Sequence, residues 1–273
     1  MQELLVNPFV QGAIVPFVAG LVVSTVLFRL KLAGLSAVAG FAATVYLVGD
    51  FDFEPLTIVR KVVLLGLIAP VVGVAADFMF KPTRAIAPLL GLVAGAVSIW
   101  VFLSLLKQKE VTQAMLFGGG TMLCVALFVG FSVMLRDDSV RAGAAGFALG
   151  LGTGVAAILA ASALLGLYAM ALGTASSGFL LVQMLAGRRS FAGVTFTLTV
   201  GLLAGLLGAA ALYLAQLPWY ALAVMALVPL AARVPVSAKW PVWGQTIVVC
   251  ACTLSVAAVS CFLTWQSSRG PSG

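Results

Sequence analysis

The chain has 273 residues, of which 63% are hydrophobic and 8% charged, and its mean hydropathy is +1.19. A soluble domain of this length needs more charge on its surface, so the composition predicts an integral membrane protein. The formal charge is +7, a balance that in a soluble protein would suggest nucleic-acid binding. Here the basic residues fall in short segments between apolar runs, where they set membrane orientation, and we expect no nucleic-acid partner.

Residue types narrow the chemistry further. The chain contains no histidine, which excludes His-ligated haem, His-based zinc sites and the most common general base. The four cysteines lie inside apolar runs without a C-x-x-C pair and are interpreted as small buried residues: Cys124, Cys250, Cys252 and Cys261. The sequence has no P-loop and no H-E-x-x-H motif, so we expect no enzyme, no metal and no cofactor.

Apolar runs bounded by charge, Pro or Gly clusters predict an all-α, polytopic bundle of about ten transmembrane helices. The first run has no Lys or Arg before it, so it is interpreted as a retained span and not as a cleaved signal peptide. Residues 1–273 then form a single transmembrane domain, whose ninth span is short and interrupted by Pro229. The predicted spans are 8–28, 33–49, 62–80, 85–106, 111–135, 142–162, 166–187, 192–215, 218–234 and 242–265.

The longest uncharged stretch runs from Ala142 to Gly187, 46 residues between two arginines. A single helix of that length would measure about 69 Å, roughly twice what a bilayer core requires. The stretch must therefore fold back, and we predict a tight turn near Ala161–Gly166. A break at Gly173–Gly178 is the alternative, but it would leave only nine residues before Arg188, too few to span.

Small residues recur every fourth position in the first half of this stretch, at Ala142, Gly146, Gly150 and Gly154. This spacing places them on one face of a helix. Faces of small residues let a neighbouring backbone approach closely in a membrane. We therefore predict that Gly146, Gly150 and Gly154 form a helix-packing face.

The distribution of basic residues predicts orientation. Ten Lys and Arg fall in the odd-numbered connections between the predicted spans, and five in the even-numbered connections and the termini. Because cytoplasmic connections carry the excess of positive charge, the odd connections are predicted to be cytoplasmic and both termini outside. We expect the protein to be integral to a membrane, the bacterial cytoplasmic (inner) membrane.

Asp77 is the acidic residue best placed to lie within a span. Carboxylates inside a membrane are costly and often mark an ion or proton path. Lys81 follows at i+4, the favourable order for a local ion pair, and Arg84 lies one turn further on. An interfacial ion pair is the favoured interpretation of Asp77, and a coupling carboxylate at the mouth of a substrate path is the alternative.

Hydroxyl side chains cluster near the middle of the seventh predicted span. Thr174, Ser176 and Ser177 lie between two glycines, a composition found where transporter helices unwind to expose carbonyls to a solute. Alternatively, these hydroxyls donate to the carbonyls of their own helix. The hypothetical substrate path is Thr174, Ser176, Ser177 and Asp77.

Two functions remain open. The first is a transporter of a small solute or lipid carrier, favoured by helices interrupted by Pro and Gly and by scattered hydroxyls. The second is a non-catalytic subunit or scaffold of a larger membrane complex, favoured by the near absence of charge within the spans. The expected partners are the lipid bilayer and either membrane proteins or further copies of this chain.

Overall fold

The computed structural model describes residues 7–30, 32–49, 54–79, 85–187, 191–237 and 239–269. Within these ranges the chain is all-helical, without a strand, as the composition predicts. Eight of the helices are long and apolar enough to cross a membrane, and three shorter ones lie between them. In chain order they are α1 (Val10–Leu30), α2 (Ala33–Val48), α3 (Ile58–Met79), α4 (Ile86–Leu106), α5 (Val111–Val133), α6 (Ser139–Leu159), α7 (Ala163–Ala186), α8 (Gly193–Leu214), α9 (Trp219–Met225), α10 (Val228–Ala231) and α11 (Val242–Ser268).

The eight long helices confirm a polytopic membrane bundle, whereas two of the ten predicted spans are short. The run 33–49 forms α2, and the run 218–234 forms the two small helices α9 and α10. Pro229 occupies the first turn of α10, where its missing N–H costs nothing, and a turn at 226–227 separates this helix from α9. The count of ten spans therefore stays a prediction.

The turn between α6 and α7 forms where the sequence predicts it. Helix α6 ends at Leu159, Ala161 adopts a left-handed backbone with φ +68°, and the Ser162 N–H donates to the Ala157 carbonyl. Helix α7 then continues without interruption through residues 173–178. The 46-residue uncharged stretch is thus an antiparallel helical hairpin.

Small residues bring α6 and α7 into backbone contact. A Cβ atom added to Gly150 would overlap the backbone of Gly173 on α7. One added to Gly146 would lie 2.9 Å from the Ser176 hydroxyl oxygen, and one added to Gly154 would lie 2.6 Å from Cγ of Met170. The predicted glycine face therefore lies against α7, at a separation that only glycine allows at Gly150.

Helix α8 lies at the centre of the bundle. Every residue from Gly193 to Ala211 is buried, among α3, α5, α6 and α7. The rings of Phe196 on α8 and Phe179 on α7 stack with centroids 4.4 Å apart. A helix apolar on all sides fits only such a fully enclosed position.

The connections between the long helices lie at the two ends of the bundle. The Asp77 end contains the last turn of α3, the connection 134–138 and the first turns of α6 and α8. The Trp219 end contains the connection 107–110 and the first turns of α5 and α9, together with the last turn of α8. Consecutive long helices run in opposite directions, so successive connections lie at opposite ends.

We expect Gly150→Ala to lower the melting temperature of the purified protein, because the added methyl overlaps the Gly173 backbone at a cost of about 1–3 kcal/mol. Gly119→Ala is the matched control, since a Cβ there meets nothing within 4 Å. Thermal unfolding in one detergent compares the two. Equal melting temperatures would contradict the close packing of α6 on α7.

Candidate functional site

A cleft of about 490 Å³ separates α5 from α9 at the Trp219 end. One wall is α5, from Leu116 to Leu127, and the other is formed by α9 and the following residues as far as Leu227. Leu212 of α8 lies between the two walls. The volume falls within the roughly 300–1,000 Å³ typical of small-molecule sites.

The lining of the cleft is almost entirely apolar. Leucine, alanine and aromatic side chains dominate it, and Thr121 and Cys124 are the exceptions among the described residues. At its rim, Leu116 is 76% exposed and Trp219 is 70% exposed. Both rim residues lie on apolar helices of the bundle.

Small residues explain why the space is unfilled. Gly120 on α5 lines the cleft, and a Cβ added to it would meet nothing within 4 Å. The facing wall presents Ala223 and Ala226. With α9 only seven residues long, the ninth segment provides no long helix to pack against α5.

A hydroxyl pair closes the inner side of the cleft. The Thr121 hydroxyl donates to the Phe117 carbonyl at 2.8 Å, and its oxygen lies 2.9 Å from the Tyr213 hydroxyl oxygen of α8. The Tyr213 ring stacks on Phe102 of α4 with centroids 4.8 Å apart. These contacts join α4, α5 and α8 behind the cleft, so the α5 wall is held in place.

Lys109 contacts a residue that lines the cleft. The Lys109 ammonium nitrogen is 4.5 Å from the centroid of the Phe117 ring, which lines the cleft. Glu110 follows Lys109 and is the N-cap residue of α5. An ammonium over an aromatic face is attracted by the ring and still has N–H groups to donate elsewhere.

Asp77, near the end of α3, caps the amino end of α8. Its two carboxylate oxygens accept the backbone N–H of Val194 at 2.7 Å, the N–H of Thr195 at 2.9 Å and the Thr195 hydroxyl at 2.7 Å. These two N–H groups are among those that a helix leaves unpaired at its amino end. Gly193 has φ +79°, and a Cβ on it would lie 2.5 Å from the carboxylate. Lys81 and Arg84, the predicted ion-pair partners of Asp77, lie outside the described residues.

The connection between α5 and α6 completes the Asp77 end. The Arg136 carbonyl accepts the N–H groups of Ala192 and Gly193 at 3.0 and 3.1 Å. The Asp138 carboxylate caps α6 and forms an ion pair with Arg141 at 3.3 Å. Backbone N–H groups at the amino ends of both α6 and α8 therefore have acceptors, and those of α8 come from two other segments of the chain.

The hydroxyls of α7 bond to nearby carbonyls. Ser176 donates to the Leu172 carbonyl at 2.8 Å and Ser177 to the Thr174 carbonyl at 2.6 Å. Thr174 lies within 3.1 Å of both the Met170 carbonyl and the Gly12 carbonyl of α1. None of these three described side chains, nor Asp77, lines the cleft. Their assignment to a substrate path stays a prediction, and the helix that carries them is not unwound.

The residues that form the cleft were not among the predicted site residues. The sequence does contain two signals for it, the Gly118-Gly119-Gly120 triplet and the short ninth segment broken at Pro229. Nothing in the sequence indicates that these two features face each other, because more than 90 residues separate them. Among the described residues no three His, Cys, Asp or Glu side chains lie close enough to hold a metal ion.

No protein-family model matches the chain, and no curated protein matches its sequence.

We expect Asp77→Asn to lower the melting temperature, because the amide NH₂ replaces one acceptor oxygen and leaves a donor of the α8 amino end unpaired. Such a loss costs about 1–3 kcal/mol. Asp137→Asn is the control, since that side chain is 73% exposed. A variant with unchanged melting temperature but a lost pH or cation dependence of transport would instead identify Asp77 as a coupling carboxylate.

Ser176→Ala combined with Ser177→Ala is expected to leave both the fold and transport unchanged. Each hydroxyl donates to a carbonyl of its own helix, which keeps its i−4 bond when the hydroxyl is removed. Membrane levels and transport of the double variant are measured against the unmodified protein. Lost transport at normal membrane levels would place these residues on the substrate path.

Proposed function

We propose that this polytopic membrane protein is a transporter of a lipid-like molecule, which reaches its site from the bilayer through the cleft between α5 and α9. The observation that carries this proposal is an apolar cleft whose rim residues Leu116 and Trp219 are exposed on apolar helices. We infer from it that the cleft opens toward the bilayer. A solute taken from water would need polar groups to replace its hydration. The described lining offers one hydroxyl and one thiol, which suits an apolar molecule.

The short helices of the ninth segment support movement at this site. Many transporters place discontinuous helices at the substrate site. Helices α9 and α10 total eleven residues and are separated by a turn. The Asp77 end, with its capped helices, would stay fixed while the wall formed by α9 moves.

The arrangement favours binding and transport over catalysis. The described lining of the cleft has no carboxylate, lysine or arginine, so it provides no general acid or base for a bound molecule. We propose that the protein is not an enzyme and uses no cofactor. Following the distribution of basic residues, the Asp77 end would face the cytoplasm across an inner membrane and the Trp219 end would face outward.

A non-catalytic subunit is the second candidate, and a specific feature favours it. Gly119 lies on the exposed face of α5 with nothing within 4 Å of an added Cβ, as a glycine packed by a partner helix would be in the isolated chain. In that case the partner would cover Gly119 as well as the cleft. The two candidates therefore differ in how Gly119 responds to substitution.

We expect Gly120→Leu to reduce lipid movement about tenfold, because the new side chain would occupy the cleft and its Cβ meets nothing within 4 Å. Gly119→Leu, one position away and outside the cleft, is expected to retain full activity. The assay uses the protein reconstituted in vesicles and follows a phospholipid with a fluorescent acyl chain, whose outer-leaflet copies are bleached by a membrane-impermeant reductant.

Other outcomes discriminate between the candidates. If Gly119→Leu and Gly120→Leu both release a stoichiometric protein partner from gently solubilised membranes, the subunit is supported. If the unmodified protein moves no lipid in vesicles and Gly120→Leu changes nothing in cells, the transporter proposal is wrong.

A further inference from the structure

We propose that the cleft binds a lipid with an anionic phosphate headgroup, whose acyl chain lies between α5 and α9 and whose phosphate contacts Lys109. This inference rests on the proposed function and names the class of its substrate. It commits to a lipid of the surrounding bilayer, and a protein helix or a second copy of the chain would be a different occupant.

The length of the cleft matches one leaflet. Its wall on α5 runs from Leu116 to Leu127, twelve residues whose first and last Cα atoms are about 16 Å apart at the rise of an α-helix. The hydrocarbon core of a bilayer is about 30 Å thick, so one leaflet contributes about 15 Å. An acyl chain lying parallel to α5 would therefore be covered along its length by apolar side chains.

The rim of the cleft carries the features of a membrane surface. Trp219 is exposed at the first position of α9 and contacts Tyr220 edge-to-face, with ring centroids 5.9 Å apart. Tryptophan and tyrosine are enriched at the level of the lipid headgroups. The connection 107–110 lies at this same end of the bundle, so Lys109 is at the level where a headgroup would be.

The charge at the mouth fits an anion. The connection 107–110 carries Lys107, Lys109 and Glu110, a net charge of +1. Of these, Lys109 lies over the ring of Phe117, a residue that lines the cleft, with its ammonium nitrogen 4.5 Å from the ring centroid. The stem of a lysine is flexible, so its ammonium can turn from the ring toward a phosphate at the mouth while the stem stays on Phe117.

The interior offers no competing site for the headgroup. The hydroxyls of Thr121 and Tyr213, one helical turn deeper than Phe117, already bond to one another and to the Phe117 carbonyl. The other described side chains that line the cleft are apolar, apart from the Cys124 thiol. A phosphate would therefore stay at the mouth, beside Lys109, with the acyl chain directed inward.

The experiment measures quenching of Trp219 fluorescence by lipids brominated on their acyl chains. Trp219 lines the cleft, and its contribution is obtained by subtracting the signal of Trp219→Phe from that of the same protein with Trp219 intact. Vesicles of phosphatidylcholine contain a low mole fraction of either brominated phosphatidylglycerol or brominated phosphatidylcholine. The ratio of the two quenching strengths gives the headgroup preference at the cleft.

We expect about a fivefold preference for phosphatidylglycerol, the factor that one lysine near a phosphate provides. Lys109→Gln is expected to bring the ratio to about one, whereas Lys109→Arg and the control Lys107→Gln retain the preference. Gly120→Leu is expected to reduce quenching by both lipids, and Gly119→Leu to leave it unchanged.

Three results would overturn the inference. Equal quenching by the two lipids, reduced by Gly120→Leu, would mean that the cleft takes lipid without headgroup selection, and the proposed function would stand. A preference that survives Lys109→Gln would remove Lys109 as the headgroup contact. Quenching that Gly120→Leu leaves unchanged would mean that no lipid occupies the cleft, and the proposed function would fail with the inference.

Discussion

The buried amino end of α8 needs hydrogen-bond acceptors, and the rest of the structure depends on how they are supplied. A helix enclosed from Gly193 to Ala211 leaves its first N–H groups without water, and unpaired donors in that position are costly. Two other segments of the chain supply the acceptors, the Asp77 carboxylate from α3 and the Arg136 carbonyl from the connection before α6. One end of the molecule is thus joined by hydrogen bonds between segments far apart in sequence. The negative carboxylate also complements the positive end of the helix dipole.

The Trp219 end is built differently. There the last turn of α8 packs through Tyr213 against α4 and α5, but the ninth segment on the other side contributes only two short helices. Small residues bring α6 and α7 into backbone contact, where Gly150 meets Gly173, yet leave a cleft where Gly120 faces alanines. The same residue type therefore gives close contact or open space, depending on whether a long helix lies opposite. Hydrogen bonds between distant segments join the Asp77 end, whereas the ninth segment leaves a cleft beside α5 at the Trp219 end.

Much of the fold could be predicted from the sequence, because long uncharged runs, and the charged, Gly and Pro residues that end them, are local features of the chain. The hairpin of α6 and α7, its turn and the eight long helices follow from run length, charge and Gly and Pro positions. The short helices α2 and α9–α10 were predicted as spans since hydropathy does not report where a helix ends within an apolar run. The role of Asp77 as a cap could not be predicted, because its nearest basic residue is four positions away and its observed partners are 117 and 118 positions away. The cleft was missed for the same reason, as its two walls meet only in the folded chain.

The central claim is that the space beside Gly120 opens to the hydrocarbon of the bilayer. The most direct test replaces the four native cysteines with alanine, attaches a nitroxide spin label at Gly120→Cys or Gly119→Cys, and measures collisions in vesicles with oxygen and with a water-soluble nickel chelate. Both labels are predicted to collide often with oxygen and rarely with nickel, since oxygen concentrates in hydrocarbon. The label at position 120 is also predicted to move less than that at 119, because the cleft walls confine it. Frequent nickel collisions at 120 would show a water-filled cavity and contradict the claim. Few collisions with either oxygen or nickel at position 120 would show a closed cavity and would also contradict the claim.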